Sequence, residues 1–320
     1  MTRDFKRILV TGALGQIGSE LTAELRSRYG SDNVTASDIK TVKESPVMEG
    51  GPWTVLDVTD PVAVEEAVLR TKADAVFHMA AILSATGEQN PQLCWKVNMD
   101  GTINILEAAR KQDLARVIIP SSIAAFGPET PRDSTPQETV LRPRTMYGVT
   151  KVSGELICDY YARKYGLDVR GLRYPGIISS ETLPGGGTTD YAVDIYYKAV
   201  LEGRYTCFVR EDTMLPMMYM PDCIKATLDL AEADFDSLVH HSDFNVGALS
   251  MTAGDIAASI RKHIPDFQVE YRPDYRQAIA DTWPKSVNDS AARAEWGWEP
   301  DWDLDSMTAD MLERLRSRLL

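Results

Sequence analysis

The chain has few cysteines, and their spacing argues against the two commonest structural uses of that residue. The four cysteines, Cys94, Cys158, Cys207 and Cys223, are scattered, and no two of them form a C-x-x-C pair. A disulfide framework or a structural zinc site needs paired or closely spaced cysteines. The sequence therefore predicts free thiols in a reducing cytoplasm and no metal site.

Long apolar runs and an excess of positive charge are also missing. No stretch approaches the roughly 20 apolar residues that span a bilayer. A β-rich run begins within ten residues of Met1, and we therefore expect no signal peptide. The net charge is −13, which disfavours a nucleic acid or an anionic membrane as the main partner. We therefore expect a soluble protein with neither of these partners.

The first half of the chain alternates β-rich runs with helical periodicity. Because the strands are almost continuously apolar, this alternation predicts an α/β fold with a doubly wound parallel sheet, covered by helices on both faces. The candidate strands are residues 7–11, 33–37, 53–57, 75–78, 116–120 and 168–173. The candidate helices are residues 16–29, 61–70, 91–112 and 146–165. Residues 120–145 are rich in proline and predict a long irregular loop.

The pattern changes after residue 175, where glycine, proline and methionine cluster. It predicts a smaller substrate-binding lobe of residues 176–320 beside a domain of residues 1–175, to which segments near 205–250 return. The methionine-rich run 214–220 favours packing rather than a site. Helices are expected at residues 190–202, 221–233, 252–263 and 304–318, and short strands near 206–209, 243–246 and 268–271.

A glycine motif, V-T-G-A-L-G-Q-I-G, ends the first candidate strand and opens the first helix. Gly12 allows a tight turn, Gly15 lets the backbone approach a pyrophosphate, and Gly18 lets the helix and the strand pack closely. The spacing is G-x-x-G-x-x-G rather than G-x-G-x-x-G. In this position the motif predicts a Rossmann-type dinucleotide site, which Gln16 and Ile17 should also line.

Acidic residues at the next two strand ends indicate which dinucleotide binds. Asp38 lies about 20 residues after the motif, where a carboxylate can bind the adenosine ribose hydroxyls and repel a 2′-phosphate. This favours NAD over NADP. Asp57 ends the third strand, where it either meets the adenine amino group or lies in a solvated turn. We expect the neighbouring Ile39 and Val58 to line the same part of the site.

A tyrosine and a lysine lie one helical turn apart in Y-G-V-T-K, at the start of candidate helix 146–165. The spacing places Tyr147 and Lys151 on one face. A free tyrosine has a pKa of about 10, and a nearby lysine together with a positive nicotinamide ring would lower it. The pair therefore predicts a tyrosine that acts as a base.

Tyr160 and Lys164 repeat this spacing, but their context differs. Ser121 and Ser122 lie 26 and 25 residues before Tyr147, at the carboxyl end of an apolar strand, where ligands of open sheets bind. The corresponding positions before Tyr160 fall inside the proline-rich loop. We therefore predict a chemical site around Tyr147 and a surface role for the second pair.

The glycine motif and the Ser–Tyr–Lys set together resemble the extended short-chain dehydrogenase/reductase superfamily over about residues 1–180. The resemblance implies that Tyr147 transfers the proton and that Lys151 holds the nicotinamide ribose. It also implies that Ser122, with Ser121 beside it, orients the substrate oxygen. Sugar dehydratases of the superfamily carry acidic residues next to the serine, and S-S-I-A-A-F-G disfavours that activity. The remaining expected cofactor contacts are Met79, Ala80, Ala81, Asn98, Tyr174, Pro175 and Ile177.

A glycine-rich segment, L-P-G-G-G-T-T-D at residues 183–190, precedes the first helix of the predicted lobe. With R-P-R-T-M-Y-G-V-T-K (142–151), L-P-M-M-Y-M-P-D (215–222) and D-T-W-P-K-S (281–286), it resembles the short-chain-type L-threonine 3-dehydrogenases. This resemblance spans essentially the whole chain. It implies NAD-dependent oxidation of the C3 hydroxyl of L-threonine to 2-amino-3-oxobutanoate, in threonine catabolism. The zinc-dependent threonine dehydrogenases form a different family, whose cysteine pattern is absent.

The glycine-rich segment suits a small zwitterion. Backbone N–H and hydroxyl groups at residues 186–189 can bind a carboxylate at a helix N-terminus, and Asp190 can bind an ammonium group. Alternatively, Thr188 or Asp190 simply caps the helix, and Trp283 either closes over the site or is an ordinary core tryptophan. The candidate substrate contacts are Ser84, Ser122, Tyr147, Gly186, Thr188, Thr189, Asp190 and Trp283.

Two other functions stay open. A UDP-sugar 4-epimerase of the same superfamily would retain NAD and release no net NADH. An NAD-sensing regulatory protein on this fold would commonly have lost the tyrosine or the lysine, and both are present here. The resemblance also implies a homodimer that pairs through helices 91–112 and 146–165.

Overall fold

The computed structural model describes residues 4–183 and 185–320, and strands alternate with helices through most of them. The strands are β1 (Ile8–Thr11), β2 (Val34–Asp38), β3 (Trp53–Val55), β4 (Ala75–His78), β5 (Arg116–Ile118), β6 (Ser121–Ser122), β7 (Val169–Arg170), β8 (Leu172–Tyr174), β9 (Gly176–Ile178), β10 (Arg204–Cys207), β11 (Met214–Tyr219), β12 (Phe244–Asn245), β13 (Leu249–Thr252) and β14 (Gln268–Tyr271). The α-helices are α1 (Gln16–Tyr29), α2 (Pro46–Glu49), α3 (Pro61–Thr71), α4 (Ser84–Gln89), α5 (Pro91–Trp95), α6 (Gly101–Lys111), α7 (Met146–Tyr165), α8 (Tyr191–Glu202), α9 (Met220–Glu232), α10 (Ala253–His263), α11 (Tyr275–Ala280), α12 (Ser290–Trp296) and α13 (Leu304–Leu319).

A six-stranded parallel sheet, in the order β3-β2-β1-β4-β5-β7, organises the N-terminal half. Successive side chains along each strand point to opposite faces of this sheet. Leu9 and Val76 lie in the apolar core with α3, α6 and α7, whereas Val10 and Phe77 lie in the core with α1 and α9. This arrangement confirms the doubly wound, Rossmann-type fold. The strands all run the same way, so the loops after β1 to β5 meet at one edge, where ligands of such sheets bind.

The predicted C-terminal lobe supplies most of a further core, in which α8, α10 and α13 pack together beside the sheet β13-β11-β9. Cys94, Phe126 and Tyr147, from the first half of the chain, lie in the same core. The methionine-rich run forms β11, which confirms its packing role. Met217 lies in the core of the lobe, and its neighbour Met218 lies in the core with α1 and α9. Because β11 serves both cores, the division near residue 175 stays a prediction.

Two predicted elements are interrupted. The strand expected at residues 168–173 is two strands in different sheets, β7 and β8, separated by Gly171. A Cβ at Gly171 would lie 2.4 Å from the carbonyl oxygen of Ile119, so only glycine fits there. The helix expected at residues 91–112 contains a π-helical turn, Lys96–Asp100, between α5 and α6. The predictions also missed β6, β9, β11, β13, α2, α4, α11 and α12.

All four cysteines are buried and free, as the scattered pattern predicted. Cys94 and Cys207 lie in the core of the C-terminal lobe. Cys223 lies in the core with α1 and α9, and Cys158 in the core with α3, α6 and α7. Each of the three cores therefore holds at least one thiol. Among the described residues, no helix is long and apolar enough to cross a membrane.

Candidate active site

The glycine motif forms the turn between β1 and α1. Gly12 has a φ of 64°, and a Cβ there would lie 2.5 Å from the backbone nitrogen of Ala80. A Cβ at Gly18 would lie 2.2 Å from the carbonyl oxygen of Gly12, whereas one at Gly15 would meet only that oxygen, at 3.1 Å. The helix begins at Gln16 without a side-chain cap, and Gln16 Nε2 is buried without a partner among the described residues. A backbone cradle with an unused donor fits a pyrophosphate.

Asp38 lies beside this turn, at the end of β2. Its two carboxylate oxygens accept hydrogen bonds from the N–H groups of Leu14, at 3.1 Å, and Lys40, at 3.2 Å. The acid expected to bind the ribose therefore also holds the glycine turn. Asp57 accepts hydrogen bonds from the N–H and hydroxyl of Thr59, at 2.9 and 2.8 Å. One oxygen of its carboxylate thus closes a local turn, and a contact of Asp57 with the adenine amino group stays a prediction.

The other predicted cofactor contacts differ in exposure and in their partners. The exposed or half-buried ones are Ile17, Ile39, Met79, Ala80, Ala81 and Ile177, and the buried ones are Val58, Asn98, Tyr174 and Pro175. The hydroxyl of Tyr174 is bonded to that of Thr227. The Asn98 amide bonds the backbone of Ile82 and the hydroxyl of Thr150. Because these polar groups already have partners, their roles toward a cofactor stay predictions.

The structure brings Ser122, Tyr147 and Lys151 together at the carboxyl edge of the sheet. Thr145 caps α7 and so places Tyr147 in its first turn. The Ser122 hydroxyl lies close enough to the Tyr147 phenol to favour its ionised form. Lys151 Nζ lies 5.4 Å from the centre of the Tyr147 ring and donates a hydrogen bond to the carbonyl oxygen of Pro120 at 2.7 Å.

Ser121 has a different partner from Ser122. Its buried hydroxyl donates a hydrogen bond to the carboxylate of Glu155, on α7. Sequence reasoning missed Glu155, although its position four residues after Lys151 puts it on the face of the helix that carries Tyr147. Of the two candidate serines, only Ser122 meets the tyrosine in this structure.

Burial shifts the pKa values of three side chains at the site. It raises the pKa of Tyr147 to about 12, with the Ser122 hydrogen bond acting in the opposite direction. It lowers the pKa of Lys151 to about 8 and that of His78 to about 3. His78 Nδ1 is bonded to the Thr11 hydroxyl at 2.7 Å, and its Nε2 has no partner among the described residues. At neutral pH the protein's own groups therefore favour a neutral tyrosine and a protonated lysine.

The glycine-rich segment folds back on α4. The buried hydroxyls of Ser84 and Thr188 are 3.1 Å apart, and the Ala85 N–H donates to the carbonyl oxygen of Gly186 at 3.2 Å. Thr189 is half-buried at the other side of the segment. Pro184, which belongs to this segment, lies outside the described residues. The segment and α4 thus form one wall made of hydroxyls and backbone groups.

Asp190 precedes α8, but its side chain does not cap that helix. One carboxylate oxygen accepts hydrogen bonds from the N–H groups of Gly186, at 3.1 Å, and Gly187, at 2.8 Å. Burial raises the pKa of Asp190 to about 6, and these two hydrogen bonds oppose the rise. The carboxylate is therefore ionised at neutral pH. It also occupies the two N–H groups that we expected to meet a substrate carboxylate.

Three further contacts tie this region to the rest of the site. The Glu88 carboxylate, on α4, accepts a hydrogen bond from the N–H of Met146 at 2.6 Å, where α7 begins. The hydroxyls of Ser19, on α1, and Thr182 lie 3.1 Å apart. The Ser179 hydroxyl donates to Glu20, also on α1, at 2.5 Å. Sequence reasoning missed these contacts because each joins residues that are far apart in the chain.

Two remaining side chains can now be placed. Trp283 is 4% exposed and lies in the apolar cluster that also contains Tyr147, so it is a core residue whose contact with substrate stays a prediction. Tyr160 is exposed, and Lys164 Nζ donates to its hydroxyl at 2.7 Å, which confirms the surface role of this pair. In the described part of the chain, no three His, Cys, Asp or Glu side chains cluster closely enough to hold a metal ion.

Comparison with known proteins agrees with this geometry. The model of the NAD dependent epimerase/dehydratase family matches residues 8–247. An uncharacterised epimerase/dehydratase of Staphylococcus saprophyticus is 49% identical over 98% of both chains. The solved L-threonine dehydrogenase of Clostridium difficile is 52% identical over 99% of both chains, with a TM-score of 0.96. A monomeric L-threonine 3-dehydrogenase from a metagenome is 49% identical over 97% of this chain and 99% of its own, with a TM-score of 0.94.

Proposed function

Since the chain belongs to the NAD dependent epimerase/dehydratase family, we propose that it is an NAD-dependent L-threonine 3-dehydrogenase. The proposed reaction oxidises the C3 hydroxyl of L-threonine and yields 2-amino-3-oxobutanoate. One observation carries the proposal: Ser122, Tyr147 and Lys151 meet at the sheet edge of a chain that matches solved threonine dehydrogenases over nearly its whole length. The identity of 52% and 49% to two solved threonine dehydrogenases favours this activity over that of a UDP-sugar 4-epimerase, which would release no net NADH.

The cofactor of this family is NAD, and the residues at the sheet edge fit it. The turn at Gly12 and Gly15, with the unused donor of Gln16, would hold the pyrophosphate. Asp38 would face the adenosine ribose, where its charge favours NAD over NADP. When bound, oxidised NAD supplies the hydride acceptor and a positive charge near Tyr147.

Tyr147 is the proposed general base. Its pKa of about 12 is too high for a base at neutral pH, so further positive charge must favour the phenolate. A protonated Lys151 one turn away contributes part of that charge. The phenolate then takes the proton of the C3 hydroxyl while C3 gives up its hydride. Ser122, which lies beside Tyr147, orients that hydroxyl.

The wall made by the glycine-rich segment is the proposed amino-acid site. Asp190 is ionised at neutral pH and would bind the ammonium group. Because it occupies the N–H groups of Gly186 and Gly187, the substrate carboxylate is left with the hydroxyls of Thr189 and of the neighbouring Ser84 and Thr188.

The first test follows NADH absorbance with NAD and L-threonine, alongside L-allo-threonine, L-serine and UDP-galactose. We expect NADH only, or mainly, from L-threonine. Tyr147→Phe should lower kcat by about 100-fold or more, because it removes the base, while NADH still binds. Tyr160→Phe, which removes a hydroxyl at the same spacing from a lysine, should retain normal turnover. If no NADH formed with L-threonine and UDP-galactose were converted in a coupled assay, the chain would be assigned to the epimerases instead.

The proposal also includes a homodimer. An apolar stripe runs along the outer face of α7 through Val149, Leu156 and Tyr160, all of them exposed. Leu93 and Trp95 on α5 are exposed as well. A second copy that packed against these helices would cover side chains that are costly to leave in water.

A further inference from the structure

The face of α7 that carries the proposed base continues one turn further, to Glu155. Tyr147, Lys151 and Glu155 are spaced four residues apart, so they lie one above the other. They meet three consecutive residues after β5. The contacts are Tyr147 with Ser122, Lys151 with the carbonyl oxygen of Pro120, and Glu155 with the hydroxyl of Ser121. Each of the residues 120–122 is therefore contacted by a side chain of α7.

Glu155 is itself held by a buried ion pair. It is 7% exposed, and Arg173, on β8, is 3% exposed. Arg173 donates from Nε and Nη2 to the two carboxylate oxygens of Glu155, each at 2.9 Å, which is the bidentate geometry that fixes orientation. Arg173 also lies directly opposite Ser121 in the parallel pair β6–β8. One carboxylate thus links the helix to both strands.

The surroundings of Lys151 give Glu155 an electrostatic effect as well. A cavity of about 20 Å³ beside the lysine is lined by His78, Ser121 and Glu155. Burial lowers the pKa of Lys151 to about 8, and Cys158, Cys94 and Glu155 oppose that change. Burial also raises the pKa of both thiols. Both thiols are therefore neutral at neutral pH, whereas Glu155 is the acidic partner of the ion pair with Arg173.

We propose that Glu155 is a positioning residue that sets the contact between Ser122 and Tyr147 and keeps Lys151 protonated. Ser121 is then the link between Glu155 and the strand, rather than a contact of the substrate. The titratable and charged groups that face this cluster are His78 from β4, Cys94 from α5, Tyr147 and Cys158 from α7, Arg173 from β8 and, beyond Arg173, Asp243. The kinetic part of this inference rests on the proposed function; the effect on Lys151 does not.

A titration of Lys151 tests the electrostatic part without substrate. In protein labelled with 13C at lysine Cε, Lys151 should titrate near pH 8, well below ordinary lysines at about 10.4. Lys151→Arg assigns the resonance. Glu155→Gln should lower the midpoint by about half to one pH unit, because the negative charge one turn away is lost. Glu107→Gln, which neutralises an acid bonded to Tyr161 of the same helix, should leave it unchanged. An unchanged midpoint in Glu155→Gln would overturn this part.

Steady-state kinetics test the positioning part. Glu155→Gln should lower kcat about tenfold at an almost constant KM for threonine, with the alkaline limb of the pH profile moved to lower pH. Ser121→Ala removes only the hydrogen bond between Ser121 and Glu155. This variant tests the positioning role if Glu155→Gln does not fold. It should lower kcat without raising the KM for threonine, and Ser121→Thr should restore it. A raised KM with normal kcat in Ser121→Ala would instead make Ser121 a substrate contact. A wild-type enzyme inert toward threonine would remove the proposed function while leaving the titration valid.

Discussion

Two tyrosine–lysine pairs with identical spacing lie on α7 and meet opposite surroundings. Tyr147 is buried beside Ser122, whereas Tyr160 is exposed and accepts a hydrogen bond from Lys164. The sequence separated the two pairs because helical spacing shows which residues share a face, and the serines at a strand end show which face meets the site. The role of Glu155 was not predicted, because its partner Arg173 lies on β8, and the position of β8 depends on how the strands pair across the fold.

At the same scale, Asp190 should make threonine binding depend on pH. Its pKa of about 6 lies above the ordinary value because of burial, so the carboxylate is lost as pH falls through 6. Free threonine keeps its own charges between about pH 5 and 7. We expect the KM for threonine to rise about tenfold from pH 7 to pH 5, measured as initial rates at saturating NAD.

Two variants separate this effect from a general response to acid. Asp190→Asn should show a high KM at every pH and lose the dependence. Asp194→Asn changes a partly buried acid one turn further along α8, whose charge adds to the rise in the pKa of Asp190. This variant should keep the pH dependence, with its midpoint moved to lower pH. A KM that is flat between pH 5 and 7 in the wild-type protein would contradict the ammonium-binding role of Asp190.

At the scale of elements, the long strands and helices of the first half were predictable because each has a strong apolar pattern. The split at Gly171 was not, since it follows from the nearby carbonyl of Ile119, which lies directly after β5 and far from Gly171 in the sequence. The short strands β9 and β13 and helix α4 have too few residues for a periodic signal. The role of α4 as the support of the glycine-rich segment, through Ser84 and Ala85, depends on contacts across the fold.

Two neighbouring glycines of that segment, Gly185 and Gly186, should differ sharply in how well they tolerate replacement by alanine. Gly186 has a φ of 97°, and a Cβ there would lie 2.5 Å from Thr86 Oγ1. Apart from its chain neighbours, no described residue places an atom within 4 Å of a Cβ at Gly185. Gly186→Ala should strain the segment by about 1–3 kcal/mol and raise the KM for threonine several-fold while sparing that for NAD. Gly185→Ala is the matched control and should behave like wild type; equal effects in the two variants would show that the segment does not shape the site.

At the scale of the whole molecule, α7 carries two different faces. One holds Tyr147, Lys151 and Glu155, and the other presents the apolar stripe of Val149, Leu156 and Tyr160 to the outside. A continuous stripe of exposed apolar side chains on the outer face of a helix indicates a partner on that side. The sequence alone showed only that the helix was long, and the exposed stripe adds the reason to expect a second copy.

Leu156→Glu should therefore produce a monomer. Leu156 is 66% exposed, and a charge at this position would be buried without a partner in a dimer. Light scattering coupled to size exclusion should give twice the chain mass for the wild-type protein and the single-chain mass for the variant. Val62→Glu, a similarly exposed apolar position on α3, should leave the dimer intact. A wild-type protein of single-chain mass would place this chain with its monomeric relative.

The distribution of the buried cysteines allows the local opening of each core to be measured separately. Each of the three cores holds at least one thiol, and no cysteine is exposed in the folded chain. A thiol reagent can therefore react only when the surrounding core opens, and the rate at which each cysteine is modified measures the opening of its own core. Mass spectrometry of the four sites would thus time the separate loosening of the two sheet faces and the C-terminal lobe, without any engineered probe.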